Sequence, residues 1–279
     1  MEFIGGQAVI EGVMMKNKNK IAVAVRDPQG KIHVKHDTLP CKEITTPFLR
    51  GVWNLFIVLY TGIKSLSYSS HIATGKTEEK QSTWMLVFTL IFSLGFALFI
   101  FKFIPLLATD AISTRVGVHS ITYAGIEGLI KISIFIAYIY VISRMKDIQR
   151  VFQYHGAEHK TVNCYEAKKQ LTPRNCQKFS LIHTRCGTTF TILVLFLSIF
   201  VYVFIPQSFS FWTKLFLRIL LLPVVASLSY ELLRFAATQE HTSWYRRLLV
   251  PGLLFQKMTT NEPDEKQLEV AIVALKAVL

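Results

Sequence analysis

The sequence predicts a mainly α-helical, polytopic membrane protein. It has four transmembrane helices, an interfacial helix and a small cytoplasmic α+β part from the N-terminus, the central loop and the C-terminal tail. Three observations predict this fold class. Hydrophobic residues make up 51% of the chain and the mean hydropathy is +0.38. The apolar residues are concentrated in four segments long enough to cross a bilayer. The positive charge lies mostly between alternate segments, as it does in multi-pass membrane proteins.

Residues 1–45 are predicted to form a cytoplasmic β-rich unit. The segment 21–37, IAVAVRDPQGKIHVKHD, places a Pro- and Gly-containing turn between two β-rich runs, which predicts a hairpin. The preceding GGQAVIEGVMM, residues 5–15, is interpreted as one strand with flexible ends, where glycine permits a positive φ or close backbone approach. We expect no signal peptide here, because the basic start, apolar core and cleavage site are missing.

Residues 46–83 are predicted to form an interfacial helix and a linker. Apolar residues recur at helical spacing from Leu49 to Leu66. Arg50 and Lys64 bracket an apolar stretch of 13 residues, which is short for a membrane crossing. A crossing here would also place the basic N-terminus outside. We therefore expect an interfacial or re-entrant helix whose basic side chains extend towards the lipid headgroups.

The four predicted transmembrane helices form two pairs, residues 84–143 and 188–235. Each apolar segment is close to the roughly 20 residues needed to cross a hydrocarbon core of about 30 Å. The segments are 84–108, 120–143, 188–206 and 214–233. The second segment contains Glu127 and Lys131, whose four-residue spacing predicts an intramembrane ion pair that faces protein or water.

The net charge of +13 is explained by membrane topology. Lys and Arg number eleven in residues 1–83, nine in 143–187 and five in 236–279, with few in the intervening loops. This distribution predicts that both termini are cytoplasmic. The basic excess then serves orientation and attraction to anionic membrane lipid, so we expect no specific nucleic-acid partner.

The four cysteines are expected on the cytoplasmic side, where thiols stay reduced. They are Cys41, Cys164, Cys176 and Cys186. Disulfides are not expected in that compartment. The thiols are therefore interpreted either as unreactive side chains or as metal ligands.

The predicted cytoplasmic His/Cys loop, residues 144–187, contains the sequence YHGAEHKTVNCYE at 154–166. On a helix, His155 and His159 lie on one face, and two imidazoles at this spacing can bind one ion. His-x-x-Glu-His is also the inverted zinc-peptidase signature, with Glu158 as the catalytic general base. Alone, the pattern is short, and a solvated helix face accounts for it more often than a metal site does.

A second cluster, HTRCGTTF at 183–190, strengthens the metal prediction by adding His183 and Cys186. Imidazole and thiolate are ligands of borderline metals, so the predicted cofactor is a divalent metal, with zinc preferred. Glu166 and Glu231 are secondary candidate ligands. Two alternatives remain open at this point. One is a closed structural site with four protein ligands, and the other is an open catalytic site with a position for water.

The predicted cytoplasmic tail, residues 236–279, ends in an amphipathic helix within EPDEKQLEVAIVALKAVL. Its apolar face requires a partner, which is either the N-terminal β unit or a second subunit. Besides membrane lipid, the predicted partners are therefore a second copy of the chain or another membrane protein.

Five motifs resemble the YqhQ-like bacterial membrane family, over nearly the whole chain. They are GGQAVIEGVMM, YHGAEHKTVNCYE, HTRCGTTF, SYELLRF and PGLLFQKMTTNEP. The resemblance implies a multi-pass protein of the bacterial inner membrane. It also implies a domain of unknown function that is described as a predicted metal-dependent enzyme. His155, Glu158, His159, His183 and Cys186 stand at the family's motif positions. The resemblance implies no substrate.

Three functions follow from these observations. The first is a metal-dependent hydrolase at the cytoplasmic membrane surface, with Glu158 as base. The alternative is a non-enzymatic scaffold or chaperone-like factor whose zinc site is structural. A third is a small transporter or insertase that uses Glu127, which a four-span chain with one buried ion pair favours least.

Overall fold

A computed structural model describes residues 4–39, 44–75, 83–116, 119–238 and 243–279. Cys41 and nearly all of the predicted linker lie outside these ranges. The described N-terminal residues form a four-stranded antiparallel sheet whose strands are adjacent in sequence order. The strands are β1 (Ile4–Val9), β2 (Gly12–Asn17), β3 (Lys20–Arg26) and β4 (Ile32–Thr38).

The predicted hairpin at 21–37 is present as β3 and β4. The single strand expected over residues 5–15 is wrong, because this segment forms two strands joined by a tight turn at Ile10 and Glu11. Glu11 there adopts a φ of 51°, a conformation usually left to glycine. Ile10 and Glu11 are not a residue pair typical of tight turns, so the sequence did not predict this turn.

The other regular elements of the described residues are helices, joined by loops. The helices are α1 (Leu49–Thr74), α2 (Thr83–Leu98), α3 (Ile104–Val116), α4 (Ser120–Ile142), α5 (Lys146–Glu166), α6 (Pro173–Cys176), α7 (Gly187–Tyr202), α8 (Phe211–Leu220), α9 (Leu222–Thr238), α10 (Ser243–Thr259) and α11 (Glu265–Lys276).

Within the described part of the chain, two helical segments are long and apolar enough to cross a membrane. The first, Val87–Arg115, has 29 residues and joins α2 to α3 through a π-helical turn at Phe99–Phe103. Pro105 follows that turn and lacks the N–H that a continuous α-helix would use, which a π-helical turn accommodates. The second is α4, with 23 residues. The Val87–Arg115 segment extends beyond residue 108, the predicted end of the first transmembrane helix.

The other two apolar segments differ from the prediction. α7 has only 16 residues. The continuous helix expected over 214–233 is broken at Leu221 into α8 and α9, which are bent by 40°. Pro223 near the start of α9 cannot donate an amide to the preceding turn, which favours a break at this position. By length and composition, the described helices offer two crossings, or three if α8 and α9 together form one.

The principal core joins the sheet to α5 and α11, which are distant in sequence. Its fully buried residues include Met15, Ala24, Tyr154, Leu268 and Leu275. α11 starts with a capping box in which Asp264 and Gln267 exchange side chain-to-backbone hydrogen bonds. The partner of the predicted C-terminal amphipathic helix is thus the N-terminal β unit, together with α5.

The opposite face of the sheet packs against the C-terminal half of α1. Val9, Ile21 and Val23 of the sheet form this second core with Tyr68 and Ile72. The sheet therefore lies between α1 on one side and α5 with α11 on the other. This packing holds β1, an edge strand, beside the histidine-bearing helix α5.

Candidate metal centre

The helix α5 can approach the segment after α10 because residue 156 is glycine. A Cβ at Gly156 would lie 2.2 Å from the carbonyl oxygen of Asn261. The Asn261 amide in turn donates to the Phe152 carbonyl over 2.9 Å. Any larger residue at position 156 would separate these segments. The close approach brings His155, the preceding residue, against the end of α10.

Three of the predicted ligands meet in the structure: His155, His159 and Cys186. One ligand atom from each lies within 4.8 Å of the others. His159 and Cys186 are buried, and His155 is half-buried. Cys186 is the N-cap residue of α7, where its Sγ accepts the Thr188 amide. The cluster therefore connects the middle of α5 to the start of an apolar helix.

Backbone carbonyls orient both imidazoles towards the Cys186 sulfur. His155 Nδ1 lies 2.8 Å from the Thr259 oxygen, and His159 Nδ1 lies 2.5 Å from the Leu181 oxygen. A carbonyl only accepts, so each Nδ1 carries the proton and each Nε2 of the neutral ring keeps its lone pair. His155 Nε2 is 3.2 Å from Cys186 Sγ. In metal sites, a histidine ligand commonly donates its other ring N–H to a backbone carbonyl in the same way.

The Nε2 atom of His159 is buried, and within the described residues it makes no hydrogen bond. An unsatisfied buried nitrogen is unfavourable and calls for an explanation. Burial lowers the pKa of the His159 ring, against the opposing effect of the Cys186 sulfur. The ring is therefore held neutral, the form that binds a metal ion.

Glu158 lies next to the cluster and is also buried, with 7% of its surface exposed. Burial raises the pKa of its carboxyl group, while His155, His183 and the Gly6 amide that donates to it act in the opposite direction. A Cβ at Gly6 would lie 2.8 Å from this carboxyl group. Of the two roles considered for the glycines of this segment, Gly6 has the second, because it allows the backbone to lie close to Glu158.

A cavity of about 280 Å³ opens beside these groups. Its lining includes the β1 residues Ile4–Ala8, together with His155, Glu158 and Cys186. Arg185 and His183 lie at the same cavity. The polar groups converge on a concave surface that is otherwise lined by apolar side chains, which is the usual form of a ligand site.

The structure does not bring every predicted ligand to the cluster. The His183 ring centre is 5.7 Å from that of His159, but its Nε2 lies 3.5 Å from the Glu166 carboxylate. Glu166 also pairs with Arg185. Glu231, on α9, accepts from Arg50 Nε over 2.7 Å at the contact between α1 and α9. The approach of Glu231 towards the histidine loop, as a distant third ligand, is therefore not observed.

Gln256 is a supporting residue that sequence reasoning missed. It is fully buried, accepts the His183 amide over 3.0 Å and donates to the His183 carbonyl over 2.8 Å. It also donates to Thr189 on α7. Gln256 thereby fixes the segment between Leu181 and Cys186. It lies in PGLLFQKMTTNEP, one of the five motifs that resemble the family. That resemblance could have drawn attention to Gln256, but the sequence assigned the motif no role.

Glu127 and Lys131 form a second buried polar cluster with Arg218. Lys131 Nζ is 3.5 Å from the Glu127 carboxylate. Arg218, from α8, donates to Glu127 over 2.9 Å and 2.6 Å, and all three residues are about 1% exposed. The four-residue spacing predicted that Lys131 would pair with Glu127. Arg218 is 91 residues away from Glu127 in sequence, and no local pattern identifies such a partner.

Comparison with known proteins gives two matches. The family model described as Protein of unknown function (DUF1385) matches residues 46–279. The chain is also 33% identical over 293 residues to Uncharacterized protein YqhQ of Bacillus subtilis (strain 168). That alignment covers 99% of this chain and 92% of the relative. No solved structure matches the chain significantly.

Proposed function

The chain belongs to the DUF1385 family of proteins of unknown function, and we propose that it is a membrane-bound, metal-dependent hydrolase. The observation that carries this proposal is the convergence of His155, His159 and Cys186 beside a cavity that also contains Glu158. The cluster belongs to the part of the chain that the family model covers.

The donor set fits a divalent ion such as zinc. Two neutral imidazoles and one thiol offer nitrogen and sulfur, which suit borderline metals. Ligand atoms around a tetrahedral zinc lie roughly 3.5 Å apart, and His155 Nε2 lies 3.2 Å from Cys186 Sγ. The buried Nε2 of His159 would acquire a partner. Three protein ligands with one exchangeable position are typical of catalytic zinc sites.

A zinc ion in this position would supply a Lewis acid for water or a carbonyl group. The protein's own residues supply the rest. Glu158, at the cavity wall, takes a proton from the attacking water and returns it to the leaving group as the bond to the carbonyl carbon breaks. The Gly6 amide beside Glu158 favours the ionised form of its carboxyl group, which is the form that accepts a proton.

We further propose that the site lies at the cytoplasmic surface of the bacterial inner membrane. Cys186 begins α7, the apolar helix that would enter the bilayer from that side. In this arrangement the α2–α3 segment, α4, α7 and the bent α8–α9 pair make four crossings, and α1 lies in the interface. The distribution of Lys and Arg supports cytoplasmic termini.

Cobalt substitution tests the open metal site without knowledge of the substrate. The full-length protein in detergent, loaded with Co²⁺, should show a thiolate charge-transfer band, and acetohydroxamate should change its visible spectrum by occupying the exchangeable position. A spectrum that acetohydroxamate leaves unchanged would identify a closed, structural site, and the hydrolase proposal would then fail.

Glu158→Gln tests the catalytic assignment. The variant should retain wild-type zinc content and acetohydroxamate binding, because the amide removes the base but no ligand. Hydrolysis of a tryptic peptide library, followed by mass spectrometry, should fall by about 10²- to 10⁴-fold. Equal hydrolysis by the wild type and the variant would contradict the role of Glu158.

A structural zinc site is the second candidate function, and one observation favours it. The three ligands connect α5 to the start of α7, so an ion would hold a cytoplasmic helix to an apolar one. In that case the chain is a scaffold, removal of zinc unfolds the cytoplasmic part, and Glu158→Gln has no effect in any assay.

A further inference from the structure

We infer that the exposed edge of β1 binds an extended polypeptide segment across the candidate metal centre, so that the substrate is a peptide chain. This inference rests on the proposed function.

Among the residues that the structure describes, β1 is an edge strand and pairs with β2 alone. Val9 and Gly12 flank the two-residue turn between β1 and β2 and exchange hydrogen bonds. From this pair onwards, hydrogen-bonded and non-hydrogen-bonded pairs alternate along the two strands. Gly5, Gln7 and Val9 therefore exchange hydrogen bonds with β2. The amide and carbonyl groups of Ile4, Gly6 and Ala8 face the other way.

One further observation supports this assignment. Asn17 and Lys20 flank the turn between β2 and β3, so their backbone groups exchange hydrogen bonds. Since hydrogen-bonded pairs alternate along a strand, Asn17 and Met15 use their backbone groups for β3 and not for β1. Ile4 and Gly6, opposite them on β1, are thus left with outward-facing backbone groups.

The outward-facing edge borders the cavity of the candidate site. Residues Ile4–Ala8 line that cavity together with His155, Glu158 and Cys186. Gly5 and Gly6 are exposed, and a Cβ at Gly5 would meet nothing within 4 Å. A second backbone can therefore approach β1 at Gly5 without meeting a side chain, whereas at Gly6 it would lie beside the Glu158 carboxyl group.

An extended peptide is the occupant that matches these groups. It presents alternating amide and carbonyl groups, as the edge of a strand requires, and added strands of this kind bind mainly through the backbone. A peptide paired with β1 would pass beside Glu158 and the three candidate ligands, because the same cavity contains them. A ligand without a repeating backbone would leave the outward groups of Ile4 and Ala8 unused.

The test uses zinc-loaded, full-length protein in detergent and two kinds of probe. Acetohydroxamate reports on the metal alone, and a panel of acetyl-dipeptide hydroxamates with varied side chains adds a peptide backbone. Calorimetry should show at least one dipeptide hydroxamate binding about tenfold or more tightly than acetohydroxamate, the gain expected from roughly one net backbone hydrogen bond. Methylation of the probe's backbone nitrogen should remove this gain.

Ala8→Pro provides the matching protein variant. Proline removes the outward amide of Ala8 and leaves the ladder to β2 intact, which edge strands tolerate. It should abolish the advantage of the dipeptide hydroxamates while leaving acetohydroxamate affinity and zinc content unchanged. Ala8→Gly, which keeps the amide, should behave as the wild type in this comparison.

The outcomes separate the two proposals. Failure of acetohydroxamate to bind the zinc-loaded protein rejects the open site, and with it the hydrolase. Binding of acetohydroxamate with no gain from any dipeptide rejects the peptide-binding edge alone. If Ala8→Pro changes only the oligomeric state, the edge pairs with a second copy of this chain and the inference is wrong.

Discussion

The two histidines of α5 are held by backbone carbonyls rather than by charged side chains. Thr259 and Leu181 accept from the two Nδ1 atoms, which fixes the tautomers and directs both Nε2 atoms towards Cys186. The spacing of His155 and His159 predicted a shared helix face. Their carbonyl partners could not be predicted, since backbone groups leave no pattern in a sequence.

Thiol reactivity should distinguish the described cysteines. Burial raises the pKa of the Cys176 thiol to about 12, so at pH 8 this thiol remains protonated and out of contact with solvent. We expect N-ethylmaleimide to leave Cys176 unmodified in the native protein. Cys186 is also buried but lines the cavity, so it should react when the protein is metal-free and be protected by zinc, as measured by peptide mass spectrometry. Equal modification of Cys186 with and without zinc would argue against its role as a ligand.

At the scale of elements, the site depends on the contact between α10 and the segment before α7. Gln256 makes this contact through three hydrogen bonds, to the His183 backbone and to Thr189. The sequence predicted α11 from its apolar pattern and placed the histidine motif of α5 on a helix. It did not predict that the end of α10 would support the ligands, because this contact joins residues more than 60 positions apart.

Gln256→Ala should therefore weaken zinc binding although the residue is not a ligand. The His183 backbone would lose its partners, and the segment that carries Cys186 would become less ordered. We expect a 10- to 100-fold loss of zinc affinity, the usual effect of removing a residue that supports a ligand. Lys257→Ala, an exposed neighbour on the same helix, is the control and should leave affinity unchanged. Competition with a chromophoric chelator measures both variants.

At the scale of the whole molecule, the helices are linked by buried charge as well as by apolar packing. Glu127 of α4 accepts from Arg218 of α8, and Lys102 of the π-helical turn donates to Tyr202 of α7 over 2.8 Å. The sequence predicted that Glu127 would face protein or water, because a carboxylate is costly in lipid. It did not predict the broken α8–α9 helix that supplies Arg218.

Glu127→Gln should destabilise this helical arrangement strongly. The change leaves Arg218 and Lys131 buried without their carboxylate, and loss of one partner of a buried pair costs about 3–5 kcal/mol. Unfolding of the detergent-solubilised protein in a titration with dodecyl sulfate measures the loss. The double variant Glu127→Gln with Arg218→Met should recover part of the stability. If the single variant is as stable as the wild type, the cluster is not structural.

The proposed topology has its own test. Single cysteines placed at Ser208, in the loop before α8, and at Lys168, after α5, should differ in their labelling by a membrane-impermeant maleimide on intact cells. Four crossings with cytoplasmic termini predict labelling of the first position alone. Labelling at position 168 would place the candidate site outside and overturn the cytoplasmic assignment.

The central claim is that His155, His159 and Cys186 bind one metal ion, and metal analysis of the purified protein tests it most directly. We predict about one zinc or comparable divalent ion per chain for the wild type. His159→Ala and Cys186→Ser should lose most of the metal, whereas His71→Ala on α1 should retain it. Wild-type protein that contains no metal and binds no added zinc at neutral pH would contradict the claim.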